Sequence, residues 1–274
     1  MHPVAHITVK RIQSDHVSEE EDSLVVEQPL EISIEYKSLS GRTQQRISIT
    51  MRTPGNDDEL AAGFLFTEGI IRHRPEVREI HQAAGNANQV LVSLDDTVSP
   101  VLPTTAKSFI TTSACGVCGK QDIDAIRTVS IYQPGADSIC INAAVFYGLQ
   151  DELKKQQWLF KDTGGIHAAA LFDLQGNYLQ LREDVGRHNA LDKVIGAAFL
   201  NNQLPLGNAI LLLSGRASFE LLQKAFMAGI RIVAAVGAPS SLAVELAREY
   251  GITLIGFLRN ERFNIYSGAQ RVQL

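Results

Sequence analysis

The spacing of hydrophobic residues predicts that the first hundred residues are mainly β-strand. Hydrophobic and polar residues alternate through 30–36 and again through 47–51. A period of two is typical of strands with one buried face, so the two segments predict a hairpin. A helix is expected between Asn56 and Gly69, because its apolar residues recur at helical spacing and glycine often ends a helix. A further strand is predicted over 90–94.

In the second half of the chain the pattern changes to strands and helices in alternation. A helix is predicted from Asn142 to about Trp158, with the asparagine side chain capping its start. Such alternation is typical of an α/β layered domain. The remaining predicted elements are strands over 166–172 and 178–182, a helix over 186–199, a strand over 209–213, a helix over 218–228, a strand over 230–236, a helix over 241–250 and a strand over 252–257.

Together the two patterns predict an α/β fold class with two parts. A small β-rich α+β domain comes first, and a three-layer α/β domain follows it. Residues 100–108 contain two prolines and little periodicity, so this stretch is the best candidate for a linker. We therefore place the domains at residues 1–105 and 106–274, in keeping with about 100 to 200 residues per domain.

Composition and charge exclude several classes of protein. With 45% hydrophobic and 20% charged residues, the chain is a folded globular protein rather than a disordered or fibrous one. Its 25 basic and 30 acidic residues give a net charge of −5, so we expect no nucleic-acid partner. No apolar run approaches the roughly 18 residues of a membrane span. The first residues lack the layout of a secretory signal, and we expect a cytoplasmic protein with no membrane partner.

The carboxyl ends of the predicted strands are rich in glycine, serine and arginine. Right-handed crossovers bring the ends of parallel strands to one edge of a sheet, where ligands usually bind. Three of the junctions lead into helix N-termini, whose free N–H groups favour an anion. At any single junction helix capping and a surface ion pair would be the ordinary interpretation, but several on one edge predict a site for a phosphate-bearing ligand. The junctions are residues 183–188, 214–218, 237–241 and 257–262.

Two of the three cysteines, Cys115 and Cys118, form a C-x-x-C in which glycine follows each cysteine. The glycines let the segment turn sharply and expose both sulfur atoms, and a helix after Cys118 would stabilise a thiolate. An odd number of cysteines argues against a secreted disulfide framework. Cys140 lies between two isoleucines, so we expect it to be a small buried hydrophobe.

Three chemistries compete for the cysteine pair. A redox dithiol would need a thioredoxin-like order that is absent here. A zinc site needs about four ligands, and only Cys140, His167 and His188 are convenient additions. The zinc-deaminase signature also fails, because no glutamate follows His167 and Ala114 stands where that signature has proline. A persulfide carrier needs one nucleophilic thiolate on a segment that reaches two partners, which the flanking glycines suit.

Two of the histidines, His167 and His188, each have two interpretations. His167, in a strand of small apolar residues, is expected to be a satisfied core histidine, and the alternative is a proton donor beside the ligand. His188 and Asp192 are four residues apart on one predicted helix. They could form an orienting pair or make only a surface contact.

Six motifs occur in one order along the chain: DELAAGF with TEGII at 58–71, CGVCG at 115–119, GIHAAA at 165–170, EDVGRHNALDK at 183–193, SGRAS at 214–218 and GFLRNER at 256–262. Taken together, they closely resemble the FdhD family of sulfur carriers for formate dehydrogenases. The resemblance runs from about Glu27 to the C-terminus. The motif at 183–193 is the longest and most specific of the six.

The resemblance implies a sulfurtransferase that accepts sulfur from a cysteine desulfurase as a persulfide. The sulfur would pass to the molybdenum cofactor, a bis-molybdopterin guanine dinucleotide bound as cargo, before that cofactor enters formate dehydrogenase. The resemblance also implies a cytidine-deaminase-like fold, without its zinc, in the second domain. In the family the first cysteine of the pair carries the persulfide, which is Cys115 here, and we expect Cys118 to assist.

The guanine-nucleotide end of the cofactor has a binding segment in the family. That segment maps to Phe257, Leu258, Arg259, Asn260, Glu261 and Arg262. From the predicted anion edge we expect Arg187 and Arg216 to lie close by. The arginines can each make two parallel hydrogen bonds to phosphate oxygens, and Phe257 offers a ring on which a purine could stack.

Two alternatives from other classes stay open. One is a non-catalytic chaperone that binds the cofactor and formate dehydrogenase, and the other is a zinc-dependent hydrolase that acts on a nucleobase. We expect no tightly bound metal, because the chain lacks a convincing fourth ligand. A homodimer would be ordinary for a cofactor carrier, and we expect one.

Overall fold

The computed structural model describes residues 2–83, 85–102, 109–110, 130–132 and 138–274. The predicted C-x-x-C segment, with Cys115 and Cys118, lies outside the described residues. So does the predicted domain boundary between residues 105 and 106.

The first part of the chain contains a β-ribbon, a five-stranded sheet and one α-helix. The predicted hairpin, helix and third strand are confirmed, while the ribbon was not predicted. The sheet has the strand order β5-β6-β3-β4-β7, and β1 pairs only with β2 within the described chain. The elements are β1 (Val4–Gln13), β2 (His16–Val25), β3 (Gln28–Ser38), β4 (Gly41–Arg52), α1 (Asp57–Thr67), β5 (Val77–Ala83), β6 (Asn86–Leu94) and β7 (Phe109–Ile110).

The second part alternates between strands and helices, as predicted. Its main sheet has six strands in the order β10-β9-β11-β12-β13-β14, and a small sheet pairs β8 with β15. The elements are β8 (Ile141–Asn142), α2 (Ala144–Gln156), α3 (Trp158–Thr163), β9 (His167–Asp173), β10 (Tyr178–Asp184), α4 (Arg187–Leu200), β11 (Ala209–Leu213), α5 (Phe219–Met227), β12 (Ile232–Ala235), α6 (Ser241–Glu249), β13 (Thr253–Arg259), β14 (Arg262–Ser267) and β15 (Val272–Gln273).

The strand directions bring four strand exits to one edge of the six-stranded sheet. β11, β12 and β13 are parallel to one another. β9 is antiparallel to both β10 and β11, so β10 runs in the same direction as β11. The predicted edge at the ends of β10, β11, β12 and β13 therefore exists, although β9 runs the opposite way and begins there.

Helices cover both faces of this sheet. The apolar residues of α2 pack on one face, in a cluster with Phe172, Ile210 and Ile255. On the other face, residues of α4, α5 and α6 form a second cluster that continues into the five-stranded sheet. The α/β class is confirmed by this layering. The resemblance of the second part to cytidine deaminase stays a prediction.

Two glycines let α1 and α4 cross at short range. A Cβ atom added to Gly63 would collide with the carbonyl oxygen of Asp192, and one added to Gly196 would collide with that of Glu59. The contact is closed at one end by Lys224 of α5, whose Nζ lies 2.9 Å from the Asp192 carboxylate. The two parts of the chain therefore share a core through these three helices.

Several local predictions need correction. The helix predicted to run to Trp158 ends at Gln156, and α3 begins at Trp158. The cap residue is Ala143 rather than the predicted Asn142, although Asn142 Oδ1 accepts from the Ala144 N–H at 2.8 Å. Cys140 is exposed rather than buried. The cause is the alternation of extended chain, because the neighbouring Ile141 is the residue that enters the core.

No helix in the described ranges combines the length and the apolar character that a membrane crossing needs.

Candidate functional site

Backbone hydrogen bonds join three neighbouring strand exits at the edge of the six-stranded sheet. The Gly237 N–H donates to the Gly215 carbonyl at 2.9 Å, and the Phe257 N–H donates to the Gly237 carbonyl at 3.1 Å. A Cβ atom on Gly237 would lie 3.0 Å from the Arg216 nitrogen, so glycine allows these exits to approach closely. The exits of β11, β12 and β13 thus form one continuous platform.

The predicted nucleotide segment is a hairpin between β13 and β14. Phe257 has a φ of 54°, a left-handed conformation that is unusual for a bulky residue, and its side chain is 45% exposed. Leu258 is buried in the core, so only its backbone can reach a ligand. Backbone strain of this kind clusters at ligand sites, and the exposed ring of Phe257 fits a stacking surface.

Arginine dominates the turn of this hairpin. Arg259 and Arg262 are directly opposite each other in the strand register, and both are exposed. Like charges at such a position repel unless an anion lies between them. Arg259 Nη1 donates to the Val236 carbonyl at 2.9 Å, which fixes its side chain against the exit of β12.

Asn260 attaches the hairpin to helix α2. Its Nδ2 donates to Asp151 Oδ2 at 2.9 Å, while Glu261 is exposed. The hairpin therefore lies over the end of the sheet and is anchored at two points, by Arg259 and by Asn260. Residues 257–262, which are predicted to bind a ligand, therefore lie on an anchored turn that faces solvent.

A cavity of about 450 Å³ opens beside this platform, between the strand exits and helices α2 and α3. Val236, whose carbonyl accepts from Arg259, lies in its wall, so the cavity and the hairpin share a border. The sequence did not predict the helical side of this wall, because polar residues on α2 resemble an ordinary solvated face. The polar residues of the wall are Gln150, Lys154, Gln157, His167 and Ser214.

Glu183 holds the wall in place. Its two carboxylate oxygens accept from the backbone N–H groups of Leu159 and Phe160, at 3.0 and 2.9 Å, and thereby cap the start of α3. Burial raises the pKa of the Glu183 carboxyl, while these hydrogen bonds oppose the rise. Phe160 and the glycines after α3 then line the cavity. Glu183 belongs to the motif at 183–193, which was the only sequence signal for this role.

His167 is the first residue of β9 and lies in the cavity wall. It is half-buried, which differs from the predicted core histidine and fits the alternative of a group beside the ligand. Burial lowers the pKa of the His167 imidazole, and the nearby positive charge of Arg187 lowers it further. The ring is therefore neutral at neutral pH and can both donate and accept a hydrogen bond.

His188 and Asp192 do not form the pair that their spacing suggested. Asp192 is fully buried and bonds to Lys224 and to the Thr67 hydroxyl. His188 Nε2 instead lies 3.4 Å from the Ser218 hydroxyl, at the start of α5. Both possibilities considered from spacing alone are wrong, since each side chain has a partner on another helix.

Arg187 and Arg216 lie on the same edge as the hairpin but at increasing distance from it. Arg216 follows the exit of β11 and is exposed. Arg187 follows the exit of β10, and three strands lie between β10 and β13, which makes four strand steps. At about 4.8 Å per strand step this separation is roughly 19 Å. The edge therefore carries arginine along its whole length rather than in one cluster.

Among the described residues, no three His, Cys, Asp or Glu side chains come together as a set of metal ligands. Both cysteines of the pair lie outside those residues. The expected absence of a bound metal therefore stays a prediction.

Comparison with known proteins gives one consistent result. A family model described as the FdhD/NarQ family matches residues 25–273. A protein named sulfur carrier protein FdhD from Mycobacterium tuberculosis is 46% identical over 278 residues, which is 98% of each chain. Its namesake from Streptomyces coelicolor is 46% identical over 275 residues, covering 97% of this chain and 94% of that protein. The namesake from Picrophilus torridus is 44% identical over 253 residues, covering 92% of both.

A solved structure is also similar. The crystal structure described as that of a formate dehydrogenase accessory protein from Desulfotalea psychrophila has a TM-score of 0.75 to this chain. The alignment covers 99% of this chain and 100% of that one, at 24% sequence identity. At this identity the likeness supports the fold.

Proposed function

The chain belongs to the FdhD/NarQ family, and from this premise we propose that it is a sulfur carrier that serves formate dehydrogenase. One observation carries the proposal: the match extends over nearly the whole chain, and relatives of the same length are named sulfur carriers. The C-x-x-C at Cys115 and Cys118 supplies thiols for this chemistry.

The sulfur is taken from a cysteine desulfurase by exchange between thiols. The Cys115 thiolate attacks the outer sulfur of the donor's persulfide, a new S–S bond forms on Cys115, and the donor leaves as a thiolate. The number of S–S bonds is unchanged, so the step needs no oxidant. The sequence supports this step, because glycine follows each cysteine and permits the sharp turns that would expose a thiol to a partner.

Delivery requires that the carried sulfur be reduced to sulfide. Attack of the Cys118 thiolate on the inner sulfur of the Cys115 persulfide forms a disulfide and releases hydrosulfide. The two thiols supply the two electrons, so the step balances without another reductant. Sulfide is the form that a metal centre can accept as a ligand, and the molybdenum cofactor is the proposed recipient.

The cargo is held at the edge of the six-stranded sheet. We assign the guanine-nucleotide end of bis-molybdopterin guanine dinucleotide to residues 257–262. The exposed Phe257 ring, the opposed Arg259 and Arg262, and the adjoining cavity support this assignment. Arg216, two exits further along, extends the positive edge. A homodimer, expected from the sequence, is part of the same proposal.

Mass spectrometry of the intact chain tests the carrier function. After incubation with a cysteine desulfurase and cysteine, we expect the chain to gain the mass of one sulfur atom, on a peptide that contains Cys115. The gain should be absent in Cys115→Ala and present in Cys118→Ala. A parent chain that gains no sulfur while it still activates formate dehydrogenase would support the non-catalytic chaperone instead.

A further inference from the structure

Two helix N-termini meet on the edge of the sheet, one after the exit of β10 and the other after the exit of β11. Helix α4 begins after Gly186 and α5 begins after Ser218, and neither N-terminus has a side-chain cap. Their first-turn N–H groups therefore have no partner within the helices. The 3.4 Å contact between His188 Nε2 and the Ser218 hydroxyl holds the two N-termini together.

The imidazole of His188 has an unsatisfied nitrogen at this junction. His188 is only 4% exposed, and its buried Nδ1 atom has no hydrogen-bond partner among the described residues. Arg187, the residue before it, likewise has a buried Nε atom with no partner. Folded proteins rarely leave such buried polar atoms unpaired, and two in adjacent residues indicate a group that both can bind.

The direction of the side chain brings His188 over the helix end. Side chains in an α-helix tilt toward its N-terminus, and His188 is the second residue of α4. Its ring therefore leans over the first turn of α4 while Nε2 contacts the start of α5. A ligand at this point would meet the ring, the dipoles of both helices and the Arg187 guanidinium.

The surrounding charge favours an anion. Arg187 and Arg216 contribute two positive charges, and Glu220, whose carboxylate lies 3.7 Å from His188 Nε2, contributes one negative charge. Asp184, at the same strand exit, is neutralised by Lys193 at 2.7 Å. The helix N-termini add further positive potential.

We propose that the junction of α4 and α5 is a second anion site, in which His188 and Arg187 bind an oxyanion of the phosphate type. Three strands separate its α4 side, at the exit of β10, from the hairpin of residues 257–262, or roughly 19 Å. One strand separates its α5 side, at the exit of β11, from that hairpin, or roughly 10 Å, so one phosphate cannot contact both sites. The site is separate from the proposed nucleotide segment. It does not depend on the sulfur chemistry.

Titration with inorganic phosphate, followed by phosphorus NMR, tests this site on the full chain. We expect His188→Leu and Arg187→Gln each to weaken phosphate binding by about tenfold to a hundredfold, the range for a lost hydrogen bond to a charged group. Arg248→Ala, which removes an arginine of α6 away from this edge, is the matched control. The double variant Arg259→Ala with Arg262→Ala should keep phosphate binding at this site.

A second titration, with GDP, distinguishes a nucleotide phosphate from free phosphate. Two equivalents bound by the parent, and one by the Arg259→Ala/Arg262→Ala variant, would assign a nucleotide phosphate to the site. One equivalent in the parent, with phosphate binding still dependent on His188, would assign free phosphate. The proposal fails if folded His188→Leu and folded Arg187→Gln both bind phosphate within twofold of the parent. It also fails if the hairpin variant alone abolishes phosphate binding.

Discussion

The motif at 183–193 supplies residues to two very different regions, the buried contact between α1, α4 and α5 and the open edge of the six-stranded sheet. In the buried contact, Asp192 is almost fully enclosed and meets the charge of Lys224. Lys193 is equally enclosed beneath the edge, where it meets the charge of Asp184. On the edge, Arg187 and His188 each retain a buried nitrogen atom that has no hydrogen-bond partner in the part of the chain that the structure describes. Residues of one motif can therefore have two different roles. Those whose charge is satisfied inside the protein stabilise the fold, and those with an unsatisfied polar atom are available to a ligand.

The strongest way to break the buried contact is to remove one of its charges. Lys224→Met keeps most of the side-chain volume but leaves the Asp192 carboxylate buried without its cation. We expect the free energy of unfolding to fall by about 3 to 5 kcal/mol in a denaturant titration. Lys155→Met, which disrupts an exposed pair with Glu152, is the matched control and should cause no measurable change. Equal effects of the two changes would contradict the structural role.

A steric change should disturb the same contact with a somewhat smaller effect. Gly196→Ala puts a methyl group against the backbone of α1 near Glu59, where the helices cannot both keep their positions. We expect a loss of about 1 to 3 kcal/mol, the usual cost of overpacking, measured by thermal unfolding. Gly148→Ala, on α2 with open space around it, should be neutral or slightly stabilising. A Gly196→Ala variant as stable as the parent would place the two helices further apart than described.

The open edge should respond in the opposite way, with a loss of binding and little loss of stability. Arg259→Ala with Arg262→Ala removes the opposed charges of the hairpin. We expect GDP affinity in calorimetry to fall by about tenfold to a hundredfold while the melting temperature stays close to that of the parent. Persulfide formation on Cys115 should persist. Unchanged GDP affinity would show that the nucleotide does not bind at residues 257–262.

The smallest expected effect concerns the pH dependence contributed by His167. Burial and Arg187 hold its pKa below the ordinary value near 6.5, so the unfolded chain takes up this proton before the folded chain does. As the pH falls through about 6.5, the parent should lose some stability. His167→Gln should lack that part of the loss. Identical stability profiles from pH 7.5 to about 5 for the two proteins would show that folding does not lower the pKa of His167.

The sequence predicted the elements that alternate regularly and missed those that do not. The ribbon β1–β2 escaped prediction because most of its residues on both faces are exposed, so no single apolar face repeats. Strand β14 escaped because Arg259 and Arg262 look like the end of an element, although they are paired across a turn. None of the strands β1, β2 and β14 could have been inferred from a repeating hydrophobic pattern.

The strand exits at the edge of the sheet were predictable from the sequence, but the cavity beside them was not. Glycine and arginine at the strand exits indicated where the platform of strand ends lies, because topology alone brings parallel strand ends together. The cavity wall from α2, including Gln150 and Lys154, depends on how a helix packs on the sheet. The exposure of Cys140 and the separate partners of His188 and Asp192 are likewise tertiary outcomes that local sequence does not determine.

Activation of formate dehydrogenase by single-cysteine variants tests directly whether the chain carries sulfur on Cys115. The recipient enzyme would be produced without this protein and supplied with the parent, Cys115→Ala, Cys118→Ala or the control Lys155→Met. As a sulfur carrier, the chain should lose activation completely in Cys115→Ala, with the control equal to the parent. The loss in Cys118→Ala should be partial, because a small-molecule thiol in the assay can attack the Cys115 persulfide in place of Cys118. Full activation by a folded Cys115→Ala variant would contradict the account.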